Sequence, residues 1–317
     1  MREGKMLAIF EEIQNQFNHA NGGVYIHIDD FKNFYMPLIN YYINDRERRS
    51  IDSYIIGIQG PQGVGKTVFA TLAKTFLKAA GYRVETISID DFYKSNDERL
   101  KISKKYIGNP FYQISRGMPG THNHELLFET LKKAKAAENF FIPRFDKSLI
   151  SGRGDIAKDS TTINKQLHFL ILEGWCINMP SREDKFLSSV KKNGYVKSIF
   201  NNIDPGREHF KLVLKYLKKY QKIWHILDSK TFIFAKNISW TTDWRKEQEK
   251  KLVMSKGQGM SDKEVNRFVK PFIPFSYFIY KELVRNNNEN HCLIEVGRDH
   301  TPKRMYMPSK KQNLKFI

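Results

Sequence analysis

The chain has 317 residues, 40% of them hydrophobic, and carries 53 Lys plus Arg against 34 Asp plus Glu for a net charge of +19. That length and apolar content support one large or two modest domains with a substantial core, and exclude a long disordered chain. No apolar run reaches the ~18 residues of a membrane span, the opening Met6-Leu7-Ala8-Ile9-Phe10 is too short and too soon charged for a secretory signal, and two distant cysteines, Cys176 and Cys292, make no disulfide framework; a soluble cytoplasmic protein is expected.

In chain order, two helices open the protein, Met6 to Asn18 and Phe31 to Ile43, with Pro37 predicting a kink or split in the second. A buried strand follows at Ser53 to Ile58, then Gly60-Pro61-Gln62-Gly63-Val64-Gly65-Lys66-Thr67, then a helix from Thr67 to Ala80 with Phe69, Leu72, Ala73, Phe76 and Leu77 at helical spacing. Gly81 closes that helix as its C′ residue. Tyr82 to Ile89 alternates as a second strand and runs into Asp90-Asp91-Phe92-Tyr93. Strand, helix, strand in succession predicts a parallel sheet.

Further helices are expected at Asn96 to Lys105, Glu125 to Ala137, Arg207 to His225 and Asp243 to Met254, and further strands at His168 to Leu172, Thr231 to Ala235 and His291 to Val296. Gly108 to His124 and Pro143 to Asp159 read as irregular. Ser261-Asp262-Lys263-Glu264 is a capping box that starts a helix. Asn286 to Asn290 is a polar linker, and the basic tail from Pro302 carries Lys303, Arg304, Lys310, Lys311 and Lys315. The lysines of the 207–225 helix, Lys211, Lys215, Lys218, Lys219 and Lys222, form a solvated stripe opposite Phe210, Val213, Leu214, Leu217 and Trp224. No nucleic-acid-binding signature accompanies the positive charge, so nucleic acid is not the expected partner.

The segment Gly60 to Thr67 fits G-x-x-x-x-G-K-[ST], the phosphate-binding loop of nucleoside-triphosphate enzymes. Glycines let the backbone curl so that N–H groups point inward, while the positive end of the following helix faces the same spot. Lys66 is expected to reach the β and γ phosphates of ATP, and the Thr67 hydroxyl to hold Mg²⁺. Open α/β sheets bind ligands at the carboxyl ends of their strands. Asp90 and Asp91 end one strand and offer a base for an attacking hydroxyl; Glu173 ends another and suits the metal. The turn-rich segments Arg116 to His122, Pro143 to Ser148 and Gly152 to Asp155 carry cations suited to an anionic or hydroxylated substrate. Arg245, Gln248 and Glu249 share one face of the polar helix, where an arginine can swing onto transferring phosphate.

Taken together, these stretches resemble the D-glycerate 3-kinase family, among P-loop kinases akin to phosphoribulokinase, uridine kinase and pantothenate kinase. The resemblance runs through Phe34-Tyr35-Met36-Pro37-Leu38, the phosphate loop, Ser88-Ile89-Asp90-Asp91-Phe92-Tyr93, Arg116-Gly117-Met118-Pro119-Gly120-Thr121-His122, Arg144-Phe145-Asp146-Lys147-Ser148 and Leu172-Glu173-Gly174-Trp175. It continues through Trp244-Arg245-Lys246-Glu247-Gln248-Glu249 and Gly257-Gln258-Gly259-Met260-Ser261-Asp262. It implies an α/β fold with a parallel sheet flanked by helices and a helical lid at about 240–260. Residues 1–50 would pack on a kinase domain of 51–300, with 301–317 a basic tail.

The resemblance implies Asp90 as base, Glu173 as the Mg²⁺-associated carboxylate and Arg245 as the lid arginine. It places Asp91, Tyr93, Arg116, His122, Arg144, Asp146 and Lys147 on the substrate side. The implied reaction transfers the γ-phosphoryl group of ATP to a small, anionic hydroxyl acceptor, D-glycerate giving 3-phosphoglycerate. Another hydroxylated metabolite, or a nucleotide-dependent regulatory role, are the alternatives. The chain departs from the family at Asn123, where Asp is usual, at Ile156, where Arg is usual, and at Thr242, where an aromatic is usual. These departures bear on the acceptor more than on the nucleotide.

Overall fold

The computed structural model describes residues 3–20, 25–256, 259–285 and 291–308. Gly257, Gln258, the linker 286–290 and Lys310, Lys311 and Lys315 of the basic tail lie outside the described residues. Eight strands are described: β1 Tyr54–Gln59, β2 Val84–Ser88, β3 Phe140–Asp146, β4 Asp155–Ile163, β5 Phe169–Gly174, β6 Ser229–Ala235, β7 His291–Val296 and β8 Pro302–Tyr306. Six form one sheet in the order β2-β5-β1-β6-β7-β8, parallel except for β8.

The central strand β1 is buried along its whole length, as a parallel strand covered on both faces must be. Its alternate residues serve two cores. Tyr54, Ile56 and Ile58 meet Phe69, Leu72 and Phe76 of the helix Lys66–Ala79, together with Ile9, Ile13, Leu38 and Tyr42 of the N-terminal helices. On the other face Ile55 joins Leu170, Leu172, Phe232 and Leu293. The helices His124–Lys135, Glu183–Lys191, Gly194–Ile203, His209–Trp224 and Ile273–Arg285 cover that face. The lysine stripe of His209–Trp224 stays exposed and its apolar face is buried. No reading of the sequence assigned the helices at 183–191, 194–203 and 273–285.

One expectation is refined and two are corrected. The interruption expected at Pro37 falls just ahead of it: the chain runs from Ile28 through a wider π-type turn, Phe31–Tyr35, into Met36–Arg48, so that Pro37 stands in the first turn of the α-helix. The wider turn gives room to a ring that would clash with a regular preceding turn. The stretch from Pro143 to Asp159 is not irregular, because it contributes to the antiparallel hairpin β3–β4. Phe140-Phe141-Ile142 supplies β-formers, and Pro143 is tolerated because the register shifts between it and Phe145. The basic tail does not start at 301, since Pro302–Tyr306 adds an edge strand with Pro302 and Met305 buried. Its exposed Lys303 and Arg304 make the segment read as part of a basic tail in the sequence.

Register positions the site. Glu173 of β5 lies beside Ile58 of β1 on one side and Ser88 of β2 on the other. Two residues beyond each neighbour stand Gly60 and Asp90, so three strand ends deliver the phosphate loop and two carboxylates to one edge of the sheet.

Candidate active site

The phosphate loop turns between β1 and the helix Lys66–Ala79, with Gly63 at φ +78 and Gly65 at φ +100. Both angles lie in the left-handed region that glycine enters without steric cost. Gly60 is required for a different reason: a Cβ there would lie 2.5 Å from the Ile233 carbonyl oxygen. At Gly63 a Cβ would lie 2.6 Å from the Cβ of Trp244, so the helix Trp240–Lys256 rests directly on the loop. Trp244 is buried, and its indole N–H donates to the Arg298 carbonyl at 2.8 Å. That anchor carries the next residue, Arg245, into the cleft. Trp244 is a positioning residue to which no role is assigned from the sequence, although it stands beside Arg245 in the family-like stretch Trp244 to Glu249.

A cleft opens beside the loop. Its lining includes Gln62, Gly63, Lys66 and Thr67 from the loop and helix, with Asp90, Tyr93, Arg116, Lys147, Glu173 and Arg245 around them. The wall presents four cations, Lys66, Arg116, Lys147 and Arg245, against two carboxylates, Asp90 and Glu173, a balance suited to a polyphosphate. Gln62 Oε1 and Arg245 Nε are buried polar atoms without a hydrogen-bond partner, and both residues line the cleft. Such orphans mark where a polar ligand completes the structure.

Within the cleft, Lys66 donates to the Pro61 carbonyl at 2.9 Å. Burial pulls its pKa below the ordinary lysine value, against the opposing pull of Glu173 and Asp90. Thr67 donates its hydroxyl to Glu173 Oε1 at 3.3 Å, so the two residues read from the sequence as metal-associated are adjacent. Burial raises the Glu173 pKa; Lys66 opposes this and Asp90 adds to it. Arg245 pairs with Glu249, whose other oxygen accepts the Met260 N–H at 3.0 Å. Lys147 Nζ sits 2.7 Å from Asp90 Oδ2. Burial alone pushes the Asp90 carboxyl up, but Lys147, with His122 and the Tyr93 hydroxyl, holds it well below the usual carboxylate range.

Four residues expected on the substrate side do not line the cleft. Asp91 is taken up locally: it accepts the Ser88 N–H at 3.0 Å in a capping box and pairs with Arg144 Nη1 at 3.1 Å. Arg144 is held there and by the Thr161 hydroxyl. Asp146 caps its own turn through Ser148. His122 is fully buried, with its ring stacked on Tyr93 at 4.5 Å and Nδ1 3.1 Å from the Tyr220 hydroxyl. Segments 92–94 and 121–123 zip together through Lys94 N to Thr121 O and Asn123 N to Phe92 O, which seats His122 behind Tyr93. Asn123 itself caps the helix His124–Lys135 by accepting the Leu126 N–H, work that the aspartate usual in the family performs equally.

Burial pushes the His122 pKa down to about 4 from an ordinary 6.5, although Asp90 pulls upward. The folded state therefore refuses a proton that the unfolded chain accepts below pH 6.5. This contribution is fully present above that pH and is lost as pH falls towards 4, by about 3 kcal/mol in total. Urea unfolding is expected to show stability declining across this window, with a shallower decline in His122→Gln. Equal slopes for the two proteins would refute the assignment.

Among the described residues no helix is long and apolar enough to cross a membrane. No family model matches the chain. An uncharacterized kinase of Schizosaccharomyces pombe, mug58, is 31% identical over 246 residues, covering 76% of this chain and 86% of that protein. The chloroplastic D-glycerate 3-kinase of Arabidopsis thaliana is 32% identical over 228 residues, covering 69% of this chain and 46% of that longer protein. The solved structure of D-glycerate 3-kinase from Cryptococcus neoformans var. grubii superposes with a TM-score of 0.76 at 25% identity, covering 86% of this chain and 98% of that one. With its α/β sheet, phosphate loop and these relatives, the chain belongs to the D-glycerate 3-kinase family of P-loop kinases and is an ATP-dependent phosphotransferase acting on a hydroxyl acceptor.

Proposed function

We propose that the protein phosphorylates D-glycerate to 3-phosphoglycerate in the cytoplasm. The observation that carries this reading is the pairing of Asp90 with cations on the acceptor side, Lys147 in direct contact and Arg116 in the same cleft wall. An uncharged polyol has no use for those cations; a short hydroxy acid does. The named D-glycerate 3-kinases of Arabidopsis thaliana and Cryptococcus neoformans support the choice of acid.

In this reading the loop amides and Lys66 hold the β and γ phosphates, and Arg245 faces the charge that develops on the phosphoryl group in flight. Asp90 accepts the proton of the attacking hydroxyl. Thr67 and Glu173 present a hydroxyl and a carboxylate side by side, the hard oxygen donors that Mg²⁺ takes. When bound, the ion neutralises charge on the β and γ phosphates. The helix Trp240–Lys256 acts as the lid and rests on Gly63.

A second acceptor is favoured by one observation. Ile156, where the family usually has arginine, is exposed on β4 and takes away one cation that the family carries there. A bulkier or less acidic hydroxy compound fits such a change. The deciding experiment follows ADP formation with D-glycerate, pantothenate, nucleosides and neutral sugars. D-Glycerate is expected to give the highest kcat/KM; a neutral acceptor that outperforms every acid would overturn the reading.

A further inference from the structure

We propose that Lys147 is a latch on the general base: without acceptor its ammonium covers Asp90, and the carboxylate of an acidic acceptor draws it away. The inference rests on the kinase reading above and adds a reason why ATP is not consumed by water.

The other cations of the cleft are already held elsewhere. Lys66 is bonded to the Pro61 carbonyl, Arg245 to Glu249, and Arg116 to the carbonyls of Gly152 and Arg153 at 2.8 and 3.0 Å. Among the described residues Lys147 is the cation in direct contact with Asp90. Its side chain is 58% exposed against 28% for Asp90, so its stem is unpacked and its ammonium can move without disturbing the core.

The backbone from which it moves is held firmly. Lys147 follows β3, and the turn beyond it is clamped by Arg116 and by Arg99, which donates to the carbonyls of Arg153 and Gly154. Phe145 packs on Gly154, where a Cβ would lie 2.4 Å from the ring. A fixed turn with a loose cation at its start suits a contact that is made and broken in each cycle. The ammonium of the pair is exposed, so a substrate carboxylate lodged between Lys147 and Arg116 can reach it and compete with Asp90 for it.

The chemical consequence follows from the transfer itself. The acceptor oxygen forms a bond to the γ phosphorus, the bond from that phosphorus to the β–γ bridging oxygen breaks, the hydroxyl proton passes to Asp90, and ADP leaves. Water in the acceptor's place gives inorganic phosphate by the same balance. With Lys147 on Asp90, one carboxylate oxygen is occupied and its proton affinity is held down, so water is poorly activated. A hydroxy acid removes that restraint as it binds; water cannot.

The test measures ADP release at saturating ATP and Mg²⁺, with and without D-glycerate, in the wild type, Lys147→Met and Lys147→Arg. Lys147→Met is expected to raise acceptor-independent release by about tenfold, a small part of the roughly 10²–10⁴ that a general base contributes. It should raise the D-glycerate KM as well, and Lys147→Arg should restore both values towards the wild type. Lys147 is exposed, so the variants are expected to fold, and coincident thermal melts check this. If acceptor-independent release in Lys147→Met stays at or below the wild-type rate, the latch is wrong, whatever happens to KM. A wild type with no acceptor-dependent ADP release under any hydroxy acid is a different result, and removes the kinase reading and the latch together.

Discussion

Asp90→Asn is expected to lower kcat for acceptor phosphorylation by roughly 10²–10⁴-fold while leaving ATP affinity near the wild-type value. The amide keeps the shape of the side chain but cannot take the hydroxyl proton. The local fold does not depend on the substituted carboxylate, because the turn Ile89–Phe92 is closed by Ser88 and Asp91. The neighbouring variant Asp91→Asn makes the contrast. It weakens the capping box and the Arg144 pair, so about 1–2 kcal/mol of stability is expected to go with little change in kcat. ADP formation and nucleotide titration on the two variants separate the roles. A kcat for Asp90→Asn within about twofold of wild type would remove Asp90 as the base.

Arg245→Ala is expected to lower kcat by roughly 10²–10³-fold, the loss typical of removing one preorganised group that faces developing charge. The preorganisation is visible in the structure. Trp244 locks the helix Trp240–Lys256 onto Gly63 and Arg298, Glu249 steers the guanidinium, and Arg245 Nε is left buried without a partner at the cleft wall. Lysine lacks the planar fork, so Arg245→Lys should recover little of the loss. Steady-state kinetics decide the matter: a raised KM for ATP with kcat intact would make Arg245 a ground-state binding group instead.

Much of the nucleotide side was legible in the chain before any coordinates. The strand at 54–59, the glycine loop and the helix that follows are dictated by contacts within a few residues: apolar spacing, positive φ at Gly63 and Gly65, and a C′ glycine at Gly81. The helix Asn96–Lys105 and the capping box at Ser261 were readable for the same reason. The hairpin β3–β4 was not, because Pro143 and the glycines at 152 and 154 give an irregular signal. What holds those strands together is their pairing across the turn and the clamp from Arg99 and Arg116.

The acceptor side shows the division most clearly. Asp90 and Asp91 are adjacent, and residue type alone left either as the base; the family resemblance singled out Asp90. In the fold, a cap at Ser88 and an ion pair to Arg144 take Asp91 away from the cleft and leave Asp90 facing Lys147. His122 stands behind Tyr93 because two loops zip together, and Glu173 meets Thr67 across a sequence separation of 106 because strand register aligns three strand ends. Short-range sterics and hydrophobic periodicity are written into the chain locally, so the sequence by itself determined the phosphate loop, the parallel core and the class of chemistry. Which charged side chains face one another is a matter of packing between distant segments, and only the tertiary structure decided it.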